Sequence, residues 1–299
     1  MIRIGAKSDG SRVSMCRVSS PPQVVAHRGA SEIEAEHTLA AYRRAIEDGA
    51  DGLECDVRLT RDGVLVCVHD RRIDRTSSGR GVVSTLELSD LAELDFGSWH
   101  QGAEPEDPLL TASWEEPDWD RRQVLTLERL LEVVADCGRP LDLAIETKHP
   151  TRYAGLVELA LVELLSRFGL TAPQRDGHGG ARVMSFSPTG LRRIHALAPH
   201  VPTVYLMRRI PLRWRDGDRP RGVTAVGPAL PALRAHPQFV ERAHAQGGQV
   251  HVWTVDDPAD VDYVTGLGVD VIITNRPGAV LRQLDRSSGS DRPSSPAMP

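Results

Sequence analysis

The sequence predicts an α/β fold in which parallel strands are covered by helices and close into a barrel, and three observations lead there. Short β-branched runs alternate with amphipathic helical stretches from about Pro22 to Pro277, the pattern of repeated βα units. A chain of 299 residues fits either two ordinary domains or one such barrel, which typically takes about 250 residues. Polar residues capable of chemistry collect at the C-terminal ends of the runs, where α/β barrels build their sites.

The strands, in order, are VVAH (24–27), GLECDV (52–57), VLVCVH (64–69), LDLAIE (141–146), RVMSF (182–186), TVYL (203–206), VTAVG (223–227), VHVWTV (250–255) and DVIIT (270–274), one more than a closed barrel of eight needs. Helices fit between them. Thr38 caps LAAYRRAIEDG, Thr126 caps LERLLEVVADCG, and TRYAGLVELALVELLSRFG keeps helical apolar spacing up to Gly169. The link LTRDG between the second and third strands is too short for a parallel crossover, so those two form a hairpin with paired numbers summing to 123 or 124. That register sets His69 opposite Glu54 or Cys55.

Two stretches break the alternation. Residues 75–122 hold RTSSGRG, one short helix at LSDLAEL and an acidic, Trp-bearing segment too long for a βα loop, and are expected to pass over one end of the barrel. Trp99, Trp114 and Trp119 would supply its small core. Residues 1–21 and 285–299 are polar or Ser/Pro-rich and read as disordered tails around a domain at 22–284. No internal repeat is found.

Composition excludes several classes. With 36 Lys+Arg against 41 Asp+Glu the net charge is -5, which gives no reason to expect nucleic acid as a partner. No run approaches the roughly 18 apolar residues of a membrane span, and the N-terminus lacks a signal-peptide pattern, so a cytoplasmic location is expected. The 4 cysteines show no CxxC spacing, and Cys55 and Cys67 read as small buried apolar side chains.

Side chains alternate along a strand, so Glu54 and Asp56 point to one face, as do Glu146 and Lys148. Two adjacent carboxylates repel unless a positive group lies between them. With Glu146 arriving from another strand they make three oxygen donors, a set suited to Mg²⁺ or Ca²⁺ and not to zinc. His69 lands beside them, His27 can join from the first strand, and Arg28 and Lys148 add fixed positive charge. Such a volume suits a phosphate ester, with one imidazole giving a proton to the leaving alcohol and the other taking one from a nucleophile. Each residue alone has a plainer reading: a strand-end His is more often surface or hydrogen-bonded, E-x-D a solvated edge, E-x-K an ordinary ion pair. Their coincidence at predicted strand ends carries the inference. His149, His178 and His251 lack an evident partner and read as structural or exposed, and Phe186 and Trp253 are equally readable as core or pocket wall.

The segments VVAHRGAS (24–31), EHTLAAYRRAIEDGADGLECDVRLTRDGVLVCVHD (36–70) followed by IDRTSSG, LTLERLLE (125–132), LAIETKHP (143–150), VMSFSP (183–188), VWTVDD (252–257) and GVDVIITNRPG (268–278) resemble the glycerophosphodiester phosphodiesterases over nearly the whole chain apart from the tails. The resemblance implies a TIM (β/α)8 barrel with a small insertion after the early strands. It implies hydrolysis of glycerophosphodiesters to glycerol 3-phosphate and an alcohol, with His27 and His69 as the acid/base pair. Glu54, Asp56 and Glu146 would bind a divalent cation, Mg²⁺ or Ca²⁺, while Arg28 and Lys148 contact the phosphate. Phe186 and Trp253 would line the glycerol side of the pocket. The family usually reads Pro-Glu-Asn-Thr where this chain has Ala35, Glu36, His37 and Thr38; a related bacterial group is similar in carrying His. Alternatives are lysophospholipid cleavage of the lysophospholipase D type, with LPALRAHPQFV or the insertion forming an acyl groove, and a silent glycerophosphate-binding barrel. Loss of a histidine or a carboxylate would signal the latter, and none is lost.

Overall fold

A computed structural model describes residues 21–100, 118–149, 155–173 and 179–285. Its elements begin with β1 (Gln23–His27), α1 (Leu39–Glu47), β2 (Gly52–Leu59), β3 (Leu65–Cys67), α2 (Leu88–Ala92), α3 (Trp119–Arg122) and α4 (Leu127–Asp136). They continue with β4 (Asp142–Thr147), α5 (Leu156–Arg167), β5 (Ala181–Ser185), α6 (Pro188–Leu197), β6 (Thr203–Met207) and β7 (Ala225–Pro228). The last are α7 (Leu230–Ala235), α8 (Phe239–Ala245), β8 (Gln249–Val252), α9 (Pro258–Gly266), β9 (Val271–Thr274) and α10 (Pro277–Gln283).

Strand β1 pairs in parallel with β2 along one edge and with β9 along the other, and this double pairing closes β1, β2 and β4 to β9 into a TIM (β/α)8 barrel. The ninth strand, β3, is antiparallel to the far end of β2, as the short LTRDG link requires. The pairs Val57↔Cys67 and Arg58↔Val66 realise the 124 register, and the Val68 N–H continues it by donating to the Asp56 carbonyl. Because β1 pairs with β2 only as far as Glu54, β3 takes over that edge of β2 above the barrel rim and delivers His69 there.

The covering helices start where side-chain acceptors satisfy their first free N–H groups. Thr38 accepts from the Ala41 N–H, Thr126 from Arg129, and Ser187 from Gly190 with Pro188 opening the helix behind it. Their apolar stripes, such as Leu39, Tyr42 and Ala45, meet the outward residues Ala26, Leu53, Cys55, Leu143 and Ile145. Inside the barrel, Val25, Ala144, Met184, Val204, Leu206, Ala225, Val271 and Ile273 pack together from different strands. The rows that point inward are thereby identified, and period two extends them to both ends of each strand.

Three expectations need correction. Trp99 and Trp119 are 37% and 52% exposed and are not the insertion's core, which is Val66, Val68, Ile73, Val83, Leu91 and Phe96. The indole N–H of Trp99 donates to the Phe96 carbonyl, so that ring lies over the cluster instead of filling it. In LPALRAHPQFV, Leu230, Leu233, Phe239 and Val240 are buried between helices and barrel, which leaves no acyl groove from that segment. His149 has a partner: its Nε2 lies 3.5 Å from the buried Glu158. The expected tails (apart from Pro21 and Asp285), Trp114 and His178 lie outside the described residues. No helix among the described residues is long and apolar enough to cross a membrane.

Candidate active site

At the C-terminal rim the inward rows turn polar. Asp56 on β2 is in register with Glu146 on β4, and Glu54 stands one inward step below Asp56. Oxygens of the three carboxylates lie within 4.8 Å of one another, and all three groups are buried. Lys148, the next inward position beyond β4, puts its Nζ 2.8 Å from Glu146 and 2.9 Å from Asp56 Oδ1. Arg28, which follows β1, donates its backbone N–H to Glu54 at 3.0 Å and brings its Nε to 3.0 Å from Asp56 Oδ2.

The charges in this cluster do not balance. Burial would raise Asp56, but the hydrogen bond from His37 and the charge of Lys148 win and hold it well below the usual carboxylate range. Burial and the charge of Asp56 push Glu54 up strongly and Glu146 up to about 7. The side chains present therefore leave a carboxylate trio short of positive charge. Asp56 Oδ1 is buried, with the Lys148 ammonium at 2.9 Å against it. Three clustered hard carboxylate oxygens fit a divalent cation of the Mg²⁺ or Ca²⁺ type.

The two histidines are held by different partners. His27 Nδ1 is 2.7 Å from Asn275 Oδ1, and Asn275 is oriented by Asp256, which accepts from its amide and its backbone N–H. With the amide nitrogen so engaged, Asn275 offers only an acceptor, so Nδ1 carries the proton and Nε2 keeps its lone pair. Burial and then the Arg28 charge bring His27 down to about 4, so it is neutral near pH 7. His69 Nδ1 instead meets a carboxylate, Asp70, at 2.7 Å. Burial lowers His69 as well, while Asp56 and Asp70 oppose the shift.

One guanidinium ties the supports together. Arg75, from the RTSSG stretch, donates from Nε to Asp70 and from both terminal nitrogens to Glu36, and Glu36 also accepts from Arg28. Burial would raise Glu36, but the Arg75 hydrogen bonds and the Arg28 charge bring it to about 2. Trp99 lies 5.7 Å from the Arg75 guanidinium carbon, so the insertion reaches the site through this arginine.

Backbone shape explains the local sequence. Arg28, Gly29 and His37 all have positive φ, at 59°, 86° and 63°. A Cβ on Gly29 would lie 2.6 Å from the Ala41 backbone, so only glycine fits there. At position 37 the left-handed turn favours Asn, and His is among the few other side chains that visit it readily. His37 fills the place productively: Nε2 is 3.0 Å from Asp56, and Nδ1 is 2.8 Å from the Tyr42 hydroxyl, which donates to the Glu54 carbonyl.

A small open pocket of about 60 Å³ joins these groups. His27, Arg28, Glu54, His69, Glu146 and Lys148 form its polar half, and Phe186, Trp253, Met184 and Leu206 its apolar half. Phe186 and Trp253 meet edge to face at 5.5 Å, and the Trp253 indole N–H donates to the Gly227 carbonyl. Every site residue expected from the sequence is thus at this rim, Asp56 just behind the pocket surface. Residues missed were Asn275, Asp256, Tyr42, Arg75 and Arg208. Continuing the period-two rows one step past β6 and β9 would have found Arg208 and Asn275; Arg75 is marked only by the family-like segment IDRTSSG that contains it.

The family model described as the glycerophosphoryl diester phosphodiesterase family matches residues 27–279. A Mycobacterium tuberculosis protein named "Probable glycerophosphodiester phosphodiesterase 1" is 48% identical over 273 residues, which cover 91% of this chain and 96% of its own. A Bacillus subtilis protein named "Glycerophosphodiester phosphodiesterase" is 32% identical over 278 residues, 92% of this chain and 89% of that protein. Among solved structures, an Oleispira antarctica phosphodiesterase in complex with the product sn-glycerol-3-phosphate is similar with a TM-score of 0.72 at 26% identity, covering 89% of this chain and 97% of that one.

Proposed function

Because the chain belongs to the glycerophosphoryl diester phosphodiesterase family and is a phosphoric diester hydrolase, we propose that it cleaves glycerophosphodiesters to glycerol 3-phosphate and an alcohol, with metal-assisted acid/base catalysis by His27 and His69. The observation that carries this reading is the convergence of an unbalanced carboxylate trio and two differently supported imidazoles on one pocket. The product named in the Oleispira structure supports the same substrate class.

Glu54, Asp56 and Glu146 hold the divalent cation, Mg²⁺ or Ca²⁺, which when bound supplies positive charge against a phosphoryl oxygen. Arg28 and Lys148 hold the remaining oxygens and oppose the charge that builds up on them. His27, neutral and with Nε2 free, takes the proton from the attacking hydroxyl, either water or the substrate's own glycerol O–H; in the second case a cyclic phosphate forms and water then opens it to glycerol 3-phosphate. The new P–O bond forms as the bond to the leaving alcohol breaks. His69, whose imidazolium is stabilised by Asp70 where His27 has only an amide, gives its proton to the departing oxygen. Phe186 and Trp253 exclude water from the apolar half of the pocket and pack against the glycerol carbons. Burial of the LPALRAHPQFV side chains removes one of the two segments that could have formed an acyl groove for lysophospholipids.

The test is glycerol 3-phosphate release from glycerophosphoglycerol and glycerophosphocholine by chelator-stripped protein, with Mg²⁺ or Ca²⁺ restored separately. Turnover that returns with one cation and falls by about 10³-fold in His27→Ala and His69→Ala is expected. Full turnover without added metal, or in both variants, overturns the reading.

A further inference from the structure

Along β6 the inward row runs Val204, Leu206, Arg208. The first two belong to the apolar interior of the barrel, and Arg208 is the next inward position, just beyond the strand's last residue, Met207. It lines the same pocket as His27, Glu54, Phe186 and Trp253. Its guanidinium carbon lies 5.5 Å from the centroid of the Phe186 ring, which keeps an otherwise exposed side chain over the aromatic half of the pocket.

Three permanently cationic side chains line the pocket, and their partners differ. Arg28 is matched by Glu36 and Asp56, and Lys148 by Asp56 and Glu146. Among the described residues, Arg208 has no carboxylate within ion-pair distance, nor has its neighbour Arg209. Its charge is therefore available to a ligand. Strand order places β6 across the barrel from β1, so Arg208 faces Arg28 and His27 over the width of the pocket. The scissile phosphate already has Arg28 and Lys148, and what remains for Arg208 is the part of the substrate resting on Phe186 and Trp253.

Resting on the function proposed above, we infer that Arg208 is a specificity-determining residue, selecting diesters whose glycerol, lying against Phe186 and Trp253, carries a second anionic group, phosphate or carboxylate. The planar guanidinium fork matches either oxyanion with two parallel hydrogen bonds, and the same charge repels an ammonium group at that place.

The experiment compares kcat/KM for glycerophosphoglycerol with two relatives of the same diester, one bearing a terminal phosphate and one in which a terminal alcohol is oxidised to a carboxylate. These are measured on metal-loaded wild type, Arg208→Gln and Arg208→Lys, with Tm recorded for each. Wild type is expected to prefer at least one anionic relative by about tenfold over the neutral diester. That ratio should fall to about one in Arg208→Gln and to an intermediate value in Arg208→Lys, which keeps the charge but lacks the fork. A ratio of one in wild type for both anionic relatives, or a preference surviving intact in Arg208→Gln, overturns the inference while leaving the phosphodiesterase reading in place. Wild-type protein that cleaves none of the three diesters overturns the parent reading and this inference with it.

Discussion

The barrel buries charge at both ends, and the two ends treat it differently. At the N-terminal end the inward rows begin with Gln23, Asp142, Arg182 and His251. Arg182 pairs with Asp142 at 2.9 Å, Gln23 donates to the same carboxylate at 2.7 Å, and Gly180 caps its other oxygen at 3.0 Å. One cation meets one anion, and His251 is driven well down by burial and the Arg182 charge, so it stays neutral. At the C-terminal end the three clustered carboxylates Glu54, Asp56 and Glu146 are in contact with two permanent cations, Arg28 and Lys148, and two of the carboxylates are pushed toward protonation. Burial of charge thus does not distinguish the ends; imbalance does. A matched pair closes a barrel end, whereas a surplus of carboxylate needs something from outside the chain. The larger cavity lies at the matched end, so cavity size does not locate the chemistry.

Substitutions that separate the ends give the largest effect. Glu54→Gln and Glu146→Gln are expected to lower kcat/KM by about 10³-fold with Tm near or above wild type, because each removes a repelled carboxylate. Arg182→Met should do the reverse, leaving kcat/KM within about 3-fold while lowering Tm, because the half-buried Asp142 loses its cation. Steady-state kinetics and thermal melts on the three variants check this pair of outcomes. Loss of activity without loss of stability in Arg182→Met would break the comparison.

A smaller effect is expected from the histidine supports. Asn275→Leu and Asp70→Asn each remove an orienting partner and should lower kcat by about 10²-fold with less change in KM. Equal loss in KM would assign them to substrate binding instead.

The smallest effect concerns Glu36, whose carboxyl is held at about 2 against an ordinary 4.5. A depressed carboxylate contributes stability that is fully present above its unfolded value and is lost as pH falls through the folded one. The Tm difference between wild type and Glu36→Gln should therefore be constant above about pH 5 and shrink steadily toward about pH 2. A difference that grows on acidification would contradict the pairing with Arg75 and Arg28.

Much of this arrangement could be read before folding. The shortness of LTRDG forces a hairpin, and its register carries His69 to the rim beside Glu54 and Asp56 without any long-range information. E-x-D and E-x-K each share a face by period two, and Thr38 and Thr126 announce their helices. The aromatic residues of the insertion were misread because hydrophobicity alone suggests burial, whereas Val66 in the hairpin and Val68 and Ile73 just after it fill that core and leave Trp99 to cover Arg75.

Local order along the chain decides which residues form each strand, which helices are capped, and which side chains share a face, because these depend on contacts a few residues apart. Only closure of the barrel decides which faces meet. His27 finds Asn275 across 248 positions of sequence, Arg75 reaches Glu36 across 39, and Arg208 arrives opposite Arg28 because β1 pairs with both β2 and β9. No periodicity encodes such meetings. They follow from the strand pairing that fixes every inward row around one axis, and from there the balance of charge at each end separates the site from the seal.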